Sequence, residues 1–219
     1  MHIPWLLIGP VVMILTMVMA YAMLLRVPRS TWRVHDLLHI TTALALVLEV
    51  VGLAMMKSGY GTIVLYNIFQ PLEFILIMGM IAYSRPERRR GIAVGALIGM
   101  TAWVWCWSDS GSLDFLLIEG ALVMALVLSF TLMNTLWHMA NTSALPLAQV
   151  PEFWLFLGIL VYFGGLMPVV GMIRFVFDED PKLAGRLWMI LPVLCAIRYS
   201  LTTLACHVAA RKVPTAHGR

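Results

Sequence analysis

Seven stretches of this chain are each long and apolar enough to pass through the hydrocarbon core of a bilayer, and that pattern leaves few folds open. They cover residues 3–25, 36–56, 63–83, 91–107, 115–138, 151–177 and 187–210. A helix rises about 1.5 Å per residue and needs about 20 apolar residues to cross about 30 Å of hydrocarbon. Backbone N–H and C=O groups there must bond within the segment, so such runs become helices. The expected fold is all-α, one domain over residues 1–219, an integral membrane bundle of seven transmembrane helices. Each gap carries charges or turn formers, such as Lys57-Ser58-Gly59-Tyr60-Gly61 and Arg85-Pro86-Glu87-Arg88-Arg89-Arg90. The gaps are short, so sequential helices are predicted antiparallel.

Composition excludes other classes. The chain is 61% hydrophobic and 12% charged, against about 45–50% and about 25% in soluble domains. A soluble globule, a disordered chain and a nucleic-acid binder are thereby excluded. The net charge of +4 is no polyanion footprint, because the basic residues cluster at the ends of apolar runs. Cys106, Cys195 and Cys206 match neither a disulfide framework nor a zinc motif. No catalytic motif is present, and no cofactor is expected.

The basic residues predict the orientation. Arg26, Arg29, Arg33, Arg85, Arg88, Arg89, Arg90, Arg211, Lys212 and Arg219 fall on one side. Lys57, Arg174, Lys182 and Arg186 fall on the other, with Asp109, Asp114, Asp178, Glu179 and Asp180. The arginine-rich side is predicted cytoplasmic, which places the N-terminus outside and the C-terminus inside. All eight tryptophans (Trp5, Trp32, Trp103, Trp105, Trp107, Trp137, Trp154, Trp188) fall at or near run ends, where an indole N–H reaches the headgroups. Ala20-Tyr21-Ala22 has the small-x-small form of a cleavage site, but no basic region precedes the first run. That run is read as a permanent helix.

Ionisable groups inside a membrane cost about 2.5–3.5 kcal/mol each on insertion scales. Glu49, Glu73, Glu119 and Arg198 are the ones that stand out. Tyr66, Gln70 and Glu73 recur at i, i+4 and i+7, one narrow face of the third helix, with Asn67 adjacent. Cys195, Arg198, Tyr199, Thr202 and Cys206 share a face of the last helix. Arg198 stays protonated and needs an acid, Glu73 first and Glu49 second. Three acids facing one base leave negative charge unmatched. Glu49, Tyr66, Asn67, Gln70, Glu73, Glu119, Arg198 and Tyr199 are therefore the candidate ligand-binding residues, in the outer half of the bundle. A structural salt bridge that fixes helix packing is the plainer reading of the same groups.

His35 and His39, at i and i+4 with Asp36 between them, have a spacing that can hold a metal. The macrodipole explains them without one, since Asp36 suits a helix N-terminus and His138 and His207 suit C-termini. His207 lies nine positions from Arg198, on the opposite helix face. No metal centre is expected. Pro10, Pro71, Pro168 and Pro192 are read as kinks, and Gly91, Gly95 and Gly99 as a stripe for close helix contact, with Gly158, Gly164 and Gly165 serving either the same contact or a hinge in the sixth helix. The sixteen methionines are read as deformable packing.

Three stretches carry a family resemblance: Glu49; Leu65-Tyr66-Asn67-Ile68-Phe69 with Pro71-Leu72-Glu73-Phe74; and Pro151-Glu152-Phe153-Trp154 with Gly158-Ile159-Leu160-Val161-Tyr162-Phe163-Gly164-Gly165. Together they resemble a family of small, largely uncharacterised bacterial seven-helix integral membrane proteins, some associated with sensory signalling. The resemblance implies a multi-pass protein of the bacterial inner membrane with a sensing role and no established reaction. Retinal chemistry is excluded, because Lys57, Lys182 and Lys212 all lie outside the apolar runs. The leading expectation is a receptor-like sensor or small-ligand-binding protein whose output passes to a separate cytoplasmic signalling partner. A proton-coupled or small-anion transporter or channel is the alternative, and a metal-dependent membrane hydrolase the third. The expected partners are the lipid bilayer, a small-molecule ligand and that signalling partner, with no nucleic acid.

Overall fold

The computed structural model describes the backbone of residues 5–29, 32–113, 117–177 and 179–211. The predicted helix starts at 3 and 115, and Asp114, Asp178, Lys212 and Arg219, lie outside the described residues, as do the side chains of Trp5, Arg174 and Lys182. The helices are α1 (Trp5–Leu24), α2 (His35–Lys57), α3 (Ile63–Ser84), α4 (Arg89–Ser110), α5 (Ile118–Thr142), α6 (Pro151–Phe177), α7 (Pro181–Trp188) and α8 (Ile190–Arg211). The described residues contain no strand. Six helices, α2 to α6 and α8, are long and apolar enough to cross a membrane, and α1 adds the apolar stretch Gly9–Leu24. The chain is a multi-pass membrane protein.

The helices close into a ring in chain order. Each of α1 to α5 packs on its successor, α6 packs on α8, and α8 returns to α1; α3 also reaches α5 across the ring. Many large apolar side chains are exposed: Leu15, Leu97, Leu126 and Phe130 all point outward. Such a surface is stable only against lipid.

Small residues set how closely the helices approach. A Cβ at Gly158 of α6 would stand 3.0 Å from the backbone oxygen of Arg198 and 3.0 Å from Leu201 Cβ on α8. One at Gly165 would meet Leu194 at 2.9 Å. At Gly99 of α4 it would run into the Phe74 ring of α3, which is fully buried there. Gly95 has Met78 and Val127 at 3.2 and 3.3 Å. Gly91 meets nothing within 4 Å, so the glycine stripe works only at its two inner positions.

Three expectations are corrected. The last run is interrupted at Met189, giving a separate two-turn α7 before α8. Pro192 is the third residue of α8, where a missing N–H breaks no intrahelical bond, so it marks a helix start instead of a kink. Pro10, Pro71 and Pro168 do lie inside continuous helices. Trp105, Trp107, Trp137 and Trp188 are exposed, but Trp32 and Trp103 are buried in the core. For those two, burying the large ring between helices outweighs an interfacial place for one N–H.

Gly99→Ala forces the Phe74 ring to move and is expected to destabilise the protein by about 1–3 kcal/mol, the usual effect of overpacking. Gly91→Ala, in open space, is expected to be neutral or slightly stabilising. Thermal unfolding of the two variants in detergent checks this; equal Tm changes would refute the close α3–α4 approach.

Candidate polar site inside the bundle

Glu73 is the eleventh of the 22 residues of α3 and Arg198 the ninth of the 22 of α8. Both therefore stand near the middle of their helices. Arg198 Nη1 donates to Glu73 Oε1 at 2.7 Å, the pairing that an obligatory guanidinium charge demands. Both side chains are nearly inaccessible, at 5% and 9%. The bond links helices on different sides of the ring.

Aromatic rings enclose the guanidinium. Its carbon lies 5.1 Å from the Tyr162 ring centroid, 5.3 Å from that of Tyr199 and 5.8 Å from that of Phe163. Tyr162 and Phe163 meet edge-on, with centroids 5.0 Å apart. The electron-rich faces supply part of the solvation that a buried cation loses. Thr202 Oγ1 donates to the Arg198 carbonyl at 3.0 Å. Sequence reasoning found Arg198 and Glu73 but gave no role to Tyr162 or Phe163. The available signal was an aromatic pair in a small-residue stretch of α6, one helix away from Arg198.

The three acids occupy three environments. Glu73 is paired with Arg198. Glu49 of α2 is half-buried and accepts from the Tyr66 hydroxyl of α3 at 3.4 Å. A Cβ at Gly52, three residues on from Glu49, would lie 3.4 Å from that hydroxyl. Tyr66 is seven residues before Glu73, so the Glu49–Tyr66 bond sits about 10 Å nearer the end that carries the α2–α3 turn. Glu119 is exposed in the first turn of α5, where its charge suits the helix N-terminus.

Gln70 is half-buried, and its Oε1 accepts no hydrogen bond among the described residues. Asn67 has a different task. Fully buried, it donates to the Leu113 carbonyl at 2.8 Å and accepts from the Leu117 amide at 3.3 Å, fastening the chain that leads into α5. Tyr199 is buried on the inner face with Arg198, whereas His207 is exposed, in keeping with their helical phase.

At the arginine end, His35 Nδ1 lies 3.1 Å from Asp36 Oδ1, and Tyr21 Oη lies 3.1 Å from His39 Nε2. The two imidazoles stack with centroids 6.2 Å apart. No group of three His, Cys, Asp or Glu side chains is gathered for a metal among the described residues. A second buried cation went unnoticed in the sequence. Arg85, 4% exposed, bonds Glu87 through Nε at 2.9 Å and reaches the Asn134 backbone and side-chain oxygens at 3.3 and 3.2 Å. In the sequence it is indistinguishable from the loop arginines beside it, and only the ring topology brings Asn134 of α5 to it.

Two open surface grooves lie between helices, and neither is lined by Glu73 or Arg198. One of about 450 Å³ lies between α1 and α8, beside Gly9, Thr16 and Ser200. The other, of about 500 Å³, lies between α5 and α6. No family model, curated protein or solved structure matches the chain.

Arg198→Met strands the Glu73 carboxylate, and Glu73→Gln strands the guanidinium. Each single change is expected to destabilise by about 3–5 kcal/mol, as for other broken buried pairs. The double change should recover part of that loss. Chemical unfolding in mixed micelles measures the coupling; strictly additive losses would show that the pair carries no interaction energy.

Proposed function

We propose that the chain is a receptor-like sensor or small-ligand-binding protein of the bacterial inner membrane. It crosses the bilayer seven times, with its N-terminus outside. The ligand is held in the outer half of the bundle, next to Glu49, Tyr66 and Gln70, and output passes to a separate cytoplasmic partner. The observation that carries this reading is the division of labour between the acids. Arg198 balances Glu73 in a closed, aromatic-walled pair. Glu49 stands one layer further out, half-buried, with the Tyr66 hydroxyl as its described hydrogen-bond partner. A carboxylate in that position is suited to a ligand that brings a cationic or hydrogen-bond-donating group. The Gln70 carbonyl oxygen, on the same face of α3, is a second acceptor. The sequence resemblance to small, largely uncharacterised bacterial seven-helix proteins, some associated with sensory signalling, is in keeping with this reading.

The orientation rests on Arg26, Arg29, Arg33, Arg85, Arg88, Arg89, Arg90 and Arg211 at one end of the described bundle, against Lys57 and Arg186 at the other. In cells, a membrane-impermeant thiol reagent added outside is expected to label Ser58→Cys and Ser110→Cys and to miss Arg88→Cys, each on a background free of the native cysteines. The reverse pattern would invert the topology.

Ligand binding is tested on the full chain in lipid nanodiscs with a panel of small amines, amino acids and polar metabolites, read as a rise in Tm. A true ligand should lose about 10–100-fold in affinity in Glu49→Gln, the weight of about 1.5–3 kcal/mol for a charge-assisted hydrogen bond. Glu152→Gln, at the opposite end, should leave it unchanged. Glu49-dependent flux of protons or of a panel compound into proteoliposomes would replace the receptor reading with a transporter.

A further inference from the structure

The arginine end carries a feature that the polar interior does not use. The groove between α5 and α6 opens on the outer surface of the bundle. Its walls include Phe130, Met133 and Trp137 of α5 and Phe153 and Leu160 of α6. Phe130 and Trp137 are each 72% exposed. The groove also contains Asn134, which ties it to the basic turn before α4. Besides Arg85, the Arg88 guanidinium reaches Asn134 Oδ1, at 3.5 Å.

The charges beside the groove do not balance. Within the turn before α4 the acid is Glu87, whose Oε1 is engaged by Arg85 at 2.9 Å, with His138 Nε2 at 3.9 Å; Glu152, in the first turn of α6, adjoins Phe153. Arg89 turns back towards α3, its Nε 3.4 Å from the Ala82 carbonyl and its guanidinium over the Tyr83 ring. Arg88 and Arg90 are exposed. Four Arg in this turn, against Glu87 and the nearby Glu152, leave an excess of positive charge at the edge of an apolar groove.

An apolar trough on a lipid-facing surface takes an acyl chain, and a one-sided positive cluster at its edge takes a phosphate. A zwitterionic headgroup would bring its own ammonium into the same cluster, so the charge selects a lipid with net negative charge. We propose that the α5–α6 groove, with Arg88 and Arg90, binds one anionic phospholipid, its acyl chain along Phe130, Met133 and Leu160 and its phosphate at the two arginines. The site is independent of the Glu49 region and does not rest on the ligand reading.

Trp137 reports occupancy. The full chain is placed in phosphatidylcholine nanodiscs containing graded amounts of brominated phosphatidylglycerol or brominated phosphatidylcholine. Quenching of Trp137 is taken as the difference between the parent and Trp137→Phe. Quenching is expected at lower mole fractions of the anionic lipid. A juxtamembrane Lys or Arg contributes about 1 kcal/mol to attraction by anionic lipid, or about five-fold in affinity. Arg88→Gln with Arg90→Gln should therefore cut the preference at least five-fold. Arg88→Lys with Arg90→Lys should keep most of it, and Arg211→Gln, also exposed at this end, should leave it unchanged. Thermal melts of the variants confirm that they are folded. Equal quenching by both lipids, or an equal loss in Arg211→Gln, would overturn the site in favour of diffuse attraction. No quenching of Trp137 by either lipid would also overturn it, and would indicate a groove covered by another protein or a second copy of this chain.

Discussion

A guanidinium that cannot shed its charge, placed halfway along a membrane helix, is the constraint on which the interior of this bundle turns. Arg198 has no route to water from mid-depth, so the fold must bring an acid to it. The acid comes from α3, across the ring from α8, at 2.7 Å. Meeting that requirement positions several elements together. The α3 face with Glu73 must turn inward, α8 must present Arg198 at the same depth, and α6 must come close enough for Tyr162 and Phe163 to line the cation. Gly158 allows that last approach, because α6 there runs against the backbone of Arg198 itself. The pair adds little net stability over an apolar substitute, since desolvation offsets much of the attraction. Its structural consequence is one of register, because neither partner can slide along its helix without stranding a charge.

The remaining cohesion comes from close packing. In lipid, separated helices lose no hydrophobic contact with a solvent, so association depends on dispersion, hydrogen bonds and the exclusion of lipid. Gly99 opposite Phe74 and Gly165 opposite Leu194 bring helices close enough for these short-range forces to act. Polar clamps finish the ends of the bundle: Asn67 holds the chain entering α5, and Arg85 holds α3 to α5 through Asn134.

Much of the polar chemistry was legible as isolated residues and illegible as groupings. Arg198 and Glu73 could be paired from depth and helical phase, because a buried cation has few solutions. Asn67 stood beside the Tyr66–Gln70–Glu73 face and was grouped with it. One residue is about 100° of helical rotation, and that was enough to send it to the α4–α5 connection instead. Glu119 reads from the sequence as lying near the outer end of its run, and it is an exposed first-turn residue of α5. Arg85 carried the same one-letter signal as Arg88 and Arg90, and only its neighbour across the bundle makes it a buried residue.

The sequence by itself determined that this chain is helical and made for a bilayer, because apolar runs of spanning length have no other way to satisfy their backbone in hydrocarbon. It also determined that basic charge gathers at one end, since that depends only on which gaps hold arginine. The tertiary structure alone decided which helices touch across the ring, which of three acids meets Arg198, and where the last run breaks into α7 and α8. Those outcomes follow from packing between segments distant in the chain, where a difference of one residue in register or one methyl group in spacing changes the partner. Periodicity can assign a residue to a face of its own helix, but it carries no information about what that face will meet.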